Sequence, residues 1–382
     1  MIRSNTRTLG PSARFASAGW MALLTLTFAL PAIAQTASFH GLGQMPGAMR
    51  GAGTFSTGIS SDASTIVGWA WVCPTGQTTC TSSDKTEAFR WTVAGKYQVL
   101  GDLGSGIGSM ASATSAHGAV IVGNAPNGTN SFGAFRWAAT QGMVALPVSM
   151  LFANAVTPDG SMVVGGDVWW KISGKTGIFG PFAGNPDQTQ AFGVIGTANA
   201  PVAVGAALKG SDVNGATNHA FRWTPAGGLE DLGLTTGTES IAIAISADGS
   251  TVVGEARDAS GFWRAFRWTA STGMVDIGTL GGPESVAYAV NKDGTVIVGT
   301  SLTSGVSDSN HAFRWTATTG MEDLRTALQS VGVHTADKWL TVDTAGGVSA
   351  DGTVITGFGL NPPTTQFPFG LWTPFRVVLP LP

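Results

Sequence analysis

Charge is scarce in this 382-residue chain: 11% of its residues are Asp, Glu, Lys or Arg, and the formal net charge is -3. Soluble domains ordinarily carry roughly 25% charged residues. No basic stripe is present to neutralise phosphates, which excludes nucleic acid as a partner. The Glu, Lys and Arg content of helix-rich chains is missing too. Tyrosine is limited to Tyr97 and Tyr288, both in strand-like contexts, so a sialidase built on a Tyr nucleophile and an Arg cluster is disfavoured. The five histidines, His40, His117, His219, His311 and His334, are scattered along the chain, and neither a metal site nor a cofactor is expected from them. No Gly-x-Ser-x-Gly elbow offers a nucleophile. The stretch Ser211-Asp212-Val213-Asn214-Gly215 resembles a fragment of a calcium loop but lacks its closing acid.

Long apolar runs are also missing beyond the first segment. There, Arg3, Arg7 and Arg14 precede an apolar stretch from Ala18 to Leu30, followed by Pro31-Ala32-Ile33-Ala34-Gln35. The stretch is shorter than the roughly 20 residues that span a bilayer, and Ala32 and Ala34 fit the small-residue rule for signal peptidase. Residues 1–34 therefore read as a signal peptide and 35–382 as one mature domain, expected in the periplasm, on the cell surface or outside the cell, without an integral membrane segment. Cysteine is limited to Cys73 and Cys80, with Pro74 and Gly76 between them. In an oxidising compartment such a pair reads as a disulfide closing one loop.

What the chain has in abundance is repetition. Ala-Phe-Arg-Trp stands at Ala88 to Trp91, Ala134 to Trp137, Ala220 to Trp223, Ala265 to Trp268 and Ala312 to Trp315. Weaker versions stand at Val168-Trp169-Trp170 and Phe369-Gly370-Leu371-Trp372. Ahead of each lies an aliphatic run ending in glycine: Gly68, Gly123, Gly165, Gly205, Gly254, Gly299 and Gly357. A turn precedes that run, clearest as Asp-Gly at Asp159, Asp248, Asp293 and Asp351, where both residues tolerate positive φ. Taking one unit as Met274 to Leu280, Ser285 to Asn291, Thr295 to Thr300 and His311 to Thr316 gives four short strands per roughly 45 residues, the pattern of a propeller blade. A β-solenoid coil is usually much shorter. Small residues in the second of these strands suit a crowded axis. The expected fold is all-β: a β-propeller of seven blades, four antiparallel strands each, closed by pairing of terminal strands. Phe39 to Gly43 and Phe375 to Leu379 are the candidate spare strands.

The recurrent A-F-R-W-T…G-M-x-D-L-G…V-S-x-D-G-x-x-V-V-G pattern resembles the bacterial extracellular HAF-repeat family, whose His-Ala-Phe signature stands here at His219 to Phe221 and His311 to Phe313. The resemblance covers nearly all of the mature chain, with the stretch from Met143 to Trp223 departing most. It implies export and a propeller-like fold, and no established catalysis. The last unit carries an insertion, Asp323 to Val333, with helical spacing.

The repeated Arg (Arg90, Arg136, Arg222, Arg267, Arg314) reads as structural, bridging to the Asp of a neighbouring turn or capping strand carbonyls. The Trp that follows it reads as inter-blade core. Trp69, Trp71, Trp169, Trp263 and Trp339 have no counterpart in most repeats. Trp69 and Trp71, beside the Cys loop, and the divergent Trp169 and Trp170 are the candidate ligand-binding residues. Indoles there stack on sugars or enter partner pockets, or else add to the core. No catalytic residue is assigned. The reading is an exported, monomeric binding or structural module for a protein or surface glycan. The alternative is a carbohydrate-active hydrolase or lyase, which needs two acids facing one cleft. The non-repeat acids Glu87, Glu239, Glu255 and Glu284 stand at unrelated positions in the sequence.

Overall fold

The computed structural model describes residues 36–48, 53–72, 85–127, 133–182, 188–210, 217–304, 310–365 and 370–382. The proposed signal peptide, the Cys73–Cys80 pair and the Ser211–Gly215 stretch lie outside the described residues.

The Asp-Gly turn builds each hairpin by local hydrogen bonding. Ser246 Oγ donates to Asp248 Oδ1 (2.6 Å) and accepts from the Thr251 N–H (2.9 Å). Asp248 Oδ1 also accepts from the Ser250 N–H (2.9 Å), while Gly249 takes φ 75°. Ser60 with Asp62, Thr157 with Asp159 and Ser349 with Asp351 repeat the arrangement. Asn291 replaces the hydroxyl residue at Asp293. These bonds commit the turn carboxylates locally, so the expected bridge from the repeated Arg does not form. Arg314 instead pairs with Glu322 (2.7 Å) and the Pro380 carbonyl (2.9 Å), and Arg222 lies 3.6 Å from Glu230. The Nε atoms of Arg90, Arg136, Arg267 and Arg376 are buried without a partner.

Seven sheets of four antiparallel strands result, forming a seven-bladed β-propeller. Blades one to six occupy residues 54–99, 110–145, 155–178, 189–231, 240–276 and 281–323 in turn. Blade seven combines Thr341–Val348, Val354–Asn361 and Leu371–Val378 with the N-terminal strand Ser38–Gly41. That strand closes the ring: Ser38 pairs with Val378 and Gly41 with Phe375. The terminal-strand closure expected from the repeat is therefore present.

Two details differ from the sequence reading. The strand after each Trp ends its own blade and does not begin the next, since Gly273–Asp276 folds straight back onto Trp263–Thr269. A continuous repeat carries no mark of where its unit starts. In blade seven the Phe of the motif is Phe375, which faces Gly357 as Phe313 faces Gly299. Its followers are Arg376 and Val377, so Trp372 is not the motif Trp and Phe375 to Leu379 is no spare strand.

The core lies between blades. Clusters of buried residues join Val253 and Ala265 of blade five to Ala287, Ile297 and Phe313 of blade six, and similar sets join other neighbours. The motif Phe is the deepest element: Phe89, Phe135, Phe221, Phe266, Phe313 and Phe375 are fully buried. Trp91, Trp137 and Trp223 are buried, whereas Trp268 and Trp315 are partly so. The insertion forms the helix Leu324–Ser330, capped by Asp323 accepting from the Thr326 N–H (2.9 Å), and buries Leu324, Ala327 and Leu328 beside Phe39. No helix among the described residues is long and apolar enough to cross a membrane.

Candidate functional site

The repeat breaks at one position in every blade, and that position faces the axis. In six blades the innermost strand bulges opposite the repeated glycine, with register shifts at 56/58, 111/113, 191/193, 242/244, 287/289 and 345/347. A bulge leaves one extra residue unpaired and re-aims its side chain. The bulge residues are Thr57, Ser112, Phe192, Ile243, Tyr288 and Gly346. In blade three Asn154 holds the place, its N–H donating to the Val164 carbonyl (2.9 Å). All seven line one central cavity of about 530 Å³. No two of these side chains are alike, although the strands carrying them are copies of one another.

The two ends of this channel are unlike. At one rim the hairpin turns are bonded from blade to blade. Asp62 N–H donates to Ala116 O (3.2 Å), Ala116 to Pro158 (2.9 Å), Asp248 to Lys292 (3.0 Å), Lys292 to Ala350 (3.1 Å) and Ala350 to Ser61 (2.9 Å). Ala198 N–H adds a bond to Ser161 Oγ (2.9 Å). These turns leave a space of about 160 Å³ between them. The opposite rim, where the innermost strands begin, carries no such ring among the described residues. An aromatic path leads out towards it. Phe358 lines the cavity and stacks edge-on against Phe55 (5.2 Å) and Trp372 (5.8 Å). Phe55 meets Trp69 (4.8 Å), and Trp69 meets Trp71 (5.9 Å), which is exposed.

No protein-family model matches the chain, and no curated protein matches it in sequence. Solved structures do. An oligogalacturonate lyase from Vibrio parahaemolyticus is 9% identical over 90% of this chain and 97% of that one, with a TM-score of 0.52. The β-propeller domain of the trilobed protease from Pyrococcus furiosus is 9% identical over 85% and 95%, with a TM-score of 0.49. TolB from Acinetobacter baumannii is 12% identical over 67% of this chain, which spans 62% of its length, with a TM-score of 0.44. At these identities the likeness is one of fold.

Of the residues singled out in the sequence, Trp69 and Trp71 stand together on one strand face at the open rim, with Ala70 buried behind them. Trp169 and Trp170 are in blade three and point to its two sides. Trp170 packs in the cluster shared with blade two, and Trp169 in that shared with blade four, with Lys171 over its ring (5.2 Å). Pairing puts Trp170 in the motif Trp place and Trp169 in the Arg place, opposite Val164. His219 and His311 are each braced by an acid of the same blade, Asp231 (3.2 Å) and Asp323 (2.6 Å). No group of three or more metal-ligating side chains occurs among the described residues.

The structure also assembles groups that were unrelated in sequence. Burial raises the Glu255 carboxyl to about 7, with the Glu284 charge adding and Arg257 opposing. Burial likewise raises the Tyr288 hydroxyl, helped by the charges of Glu255 and Asp343. Asp343 is itself raised by burial, against a hydrogen bond from Thr344. Tyr288, on the cavity wall, is thus influenced by the charges of Glu255 in blade five and Asp343 in blade seven, neither of which lines the cavity itself.

These acids and the turn aspartates respond oppositely to pH. Burial opposes ionisation of Asp248 and Asp351, but hydrogen bonds from Ser246 and Ser250, and from Ser349 and Thr353, outweigh it and hold both below the usual range. Groups depressed in the folded state stabilise it above about pH 4 and lose that contribution as pH falls. Glu255 is raised, so its contribution is present below its ordinary 4.5 and is lost as pH rises to about 7. Denaturation midpoints are therefore expected to fall below pH 4. Glu255→Gln is expected to add up to roughly 3 kcal/mol at pH 8 and almost nothing at pH 4. Urea titrations at both pH values check this; equal effects would show that Glu255 is not held protonated.

Proposed function

We propose that this protein is an exported binding module of the HAF-repeat type that takes its ligand at the open end of its central channel. One observation carries the reading: side chains differ at the seven equivalent axial positions while the strands around them repeat. Packing explains repetition, and a specific ligand explains its local loss. A cavity of about 530 Å³ lies within the roughly 300–1,000 Å³ typical of small-molecule sites. Export is supported by the order of basic, apolar and small residues in the first 34 positions. The aromatic path from Phe358 to Trp71 extends the site onto the rim.

Ser112→Arg tests this reading, because it places a long cationic side chain into the channel without touching the inter-blade cores. Any ligand that raises the melting temperature of the native protein is expected to lose at least about tenfold in affinity. Undiminished binding to a folded Ser112→Arg variant would rule the channel out. A carbohydrate-active enzyme is the second reading, favoured by the protonatable Glu255 beside Tyr288. Turnover of a bound sugar would decide for it.

A further inference from the structure

Resting on the channel-binding reading, we infer that the ligand is an uncharged oligosaccharide whose terminal unit enters the channel end-on. The cavity wall carries no charged side chain at all. A charged ligand seated there would lose its hydration without gaining a direct ion pair, which is costly. The wall is also divided. Blades one to three contribute Thr57, Ser112 and Asn154, whereas blades four to six contribute Phe192, Ile243 and Tyr288. A pyranose has the matching character, with C–H groups on its faces and hydroxyls around its edge, and aromatic rings stack on such faces.

Several polar atoms on the wall remain uncommitted. Asn154 donates from Nδ2 to the Ala191 carbonyl (2.8 Å), which leaves its Oδ1 to accept. The Ser112 and Tyr288 hydroxyls make no hydrogen bond within the described protein. A buried ligand hydroxyl would pair with these groups, and a purely apolar ligand would strand them.

Direction follows from the ends of the channel. The bonded turns narrow one rim to a space of about 160 Å³, against about 530 Å³ at the bulge residues, so a chain end is taken to enter from the wider, aromatic-lined rim. The units behind that end would lie outward along Phe358, Trp69 and Trp71, where Trp71 has the exposure that stacking requires.

The test is calorimetric titration of the purified protein with linear neutral tetrasaccharides of glucose, mannose, galactose and xylose. A uronic-acid tetramer and an amino-sugar tetramer are titrated in parallel. At least one neutral sugar is expected to bind, and both charged tetramers to bind at least about tenfold more weakly. Asn154→Leu and Tyr288→Phe, which keep the volume of the wall, are each expected to weaken the neutral sugar about five- to tenfold. Trp71→Ala is expected to weaken the tetrasaccharide and to spare the monosaccharide. Stoichiometry is expected to remain one protein per chain end when the tetrasaccharide is replaced by its long polymer. Charged tetramers binding as well as neutral ones, several proteins bound along one polymer chain, or no neutral sugar bound would each overturn the inference. A different ligand that binds the native protein and is lost in Ser112→Arg would overturn the oligosaccharide while leaving the channel reading intact. A neutral sugar bound equally by Ser112→Arg would overturn both.

Discussion

Alanine at Gly299 is expected to destabilise the protein by roughly 1–3 kcal/mol, the cost of overpacking a filled core. Alanine at Gly346 is expected to be neutral or to add a few tenths, through the smaller entropy of the unfolded chain. The two glycines do different work. A Cβ on Gly299 would lie closer than 3.0 Å to the Val286 carbonyl oxygen and to the Phe313 ring. The same clash with an innermost-strand carbonyl recurs at Gly68, Gly123, Gly165, Gly205, Gly254 and Gly357. Backbone cannot rotate aside as a side chain does, so either the bulge or the Phe must move. Gly346 is itself a bulge residue facing the cavity, and a Cβ there would find its nearest neighbours at 3.6 Å, ordinary contact. Urea denaturation of both variants at unchanged slope checks the contrast. A Gly299→Ala loss below about 0.5 kcal/mol would mean that the bulge relaxes freely and that the glycine is not what fixes it.

That contrast also explains how much of the molecule was legible in its sequence. Gly299 and Phe313 recur because each must fill the same space in every blade, and recurrence is visible without coordinates. The blade count, the four antiparallel strands per blade and closure by a terminal strand followed from it, although that strand is Ser38–Gly41 and not Phe39 to Gly43. The phase of the unit did not, because a hairpin between Trp268 and Met274 and a crossover after Ile277 look alike as letters. Phe375 was hidden for a different reason. Pro374 and Val377 stand where the other copies have Ala and Trp, so the motif survives in pairing and burial but not in spelling.

The candidate site was legible only in part. Trp69 and Trp71 stood out because indoles two apart on a strand share a face. The bulge residues could not stand out, since their signature is the absence of a pattern at one position of a diverged repeat. A column of Thr57, Ser112, Asn154, Phe192, Ile243, Tyr288 and Gly346 becomes visible once the repeats are aligned on Gly68 and its equivalents. Even then, the bulge that turns them inward is a property of hydrogen-bond register. Glu255 and Asp343 both act on Tyr288 from the blades on either side of it, and no local spacing reports such a coupling.

Phe39→Ala is expected to cost roughly 3–5 kcal/mol, as for other fully enclosed aromatic side chains. Phe39 is buried, with Trp339 edge-on at 5.1 Å and Phe375 at 5.4 Å, and its carbonyl accepts from Thr335 Oγ1 (3.2 Å). Its strand is far in sequence from the strand it completes, so every contact it makes opposes the closure entropy of almost the whole propeller chain. The helix Leu324–Ser330 and Trp339 then cover it, which gives the insertion ahead of this blade a packing role. Loosening the strand should therefore expose the third strand of blade seven and, next, its bonds to blade one, such as Ser56 Oγ to the Gly357 carbonyl (2.7 Å). Hydrogen exchange of the Phe39→Ala variant is expected to show the largest loss of protection over Leu371–Val378 and Thr54–Ile59, with blades three and four changed least. Uniform loss in all seven blades would instead show that the ring unfolds as one unit whichever blade is weakened. A cost below about 1 kcal/mol would show that the terminal strand is dispensable for holding the ring together.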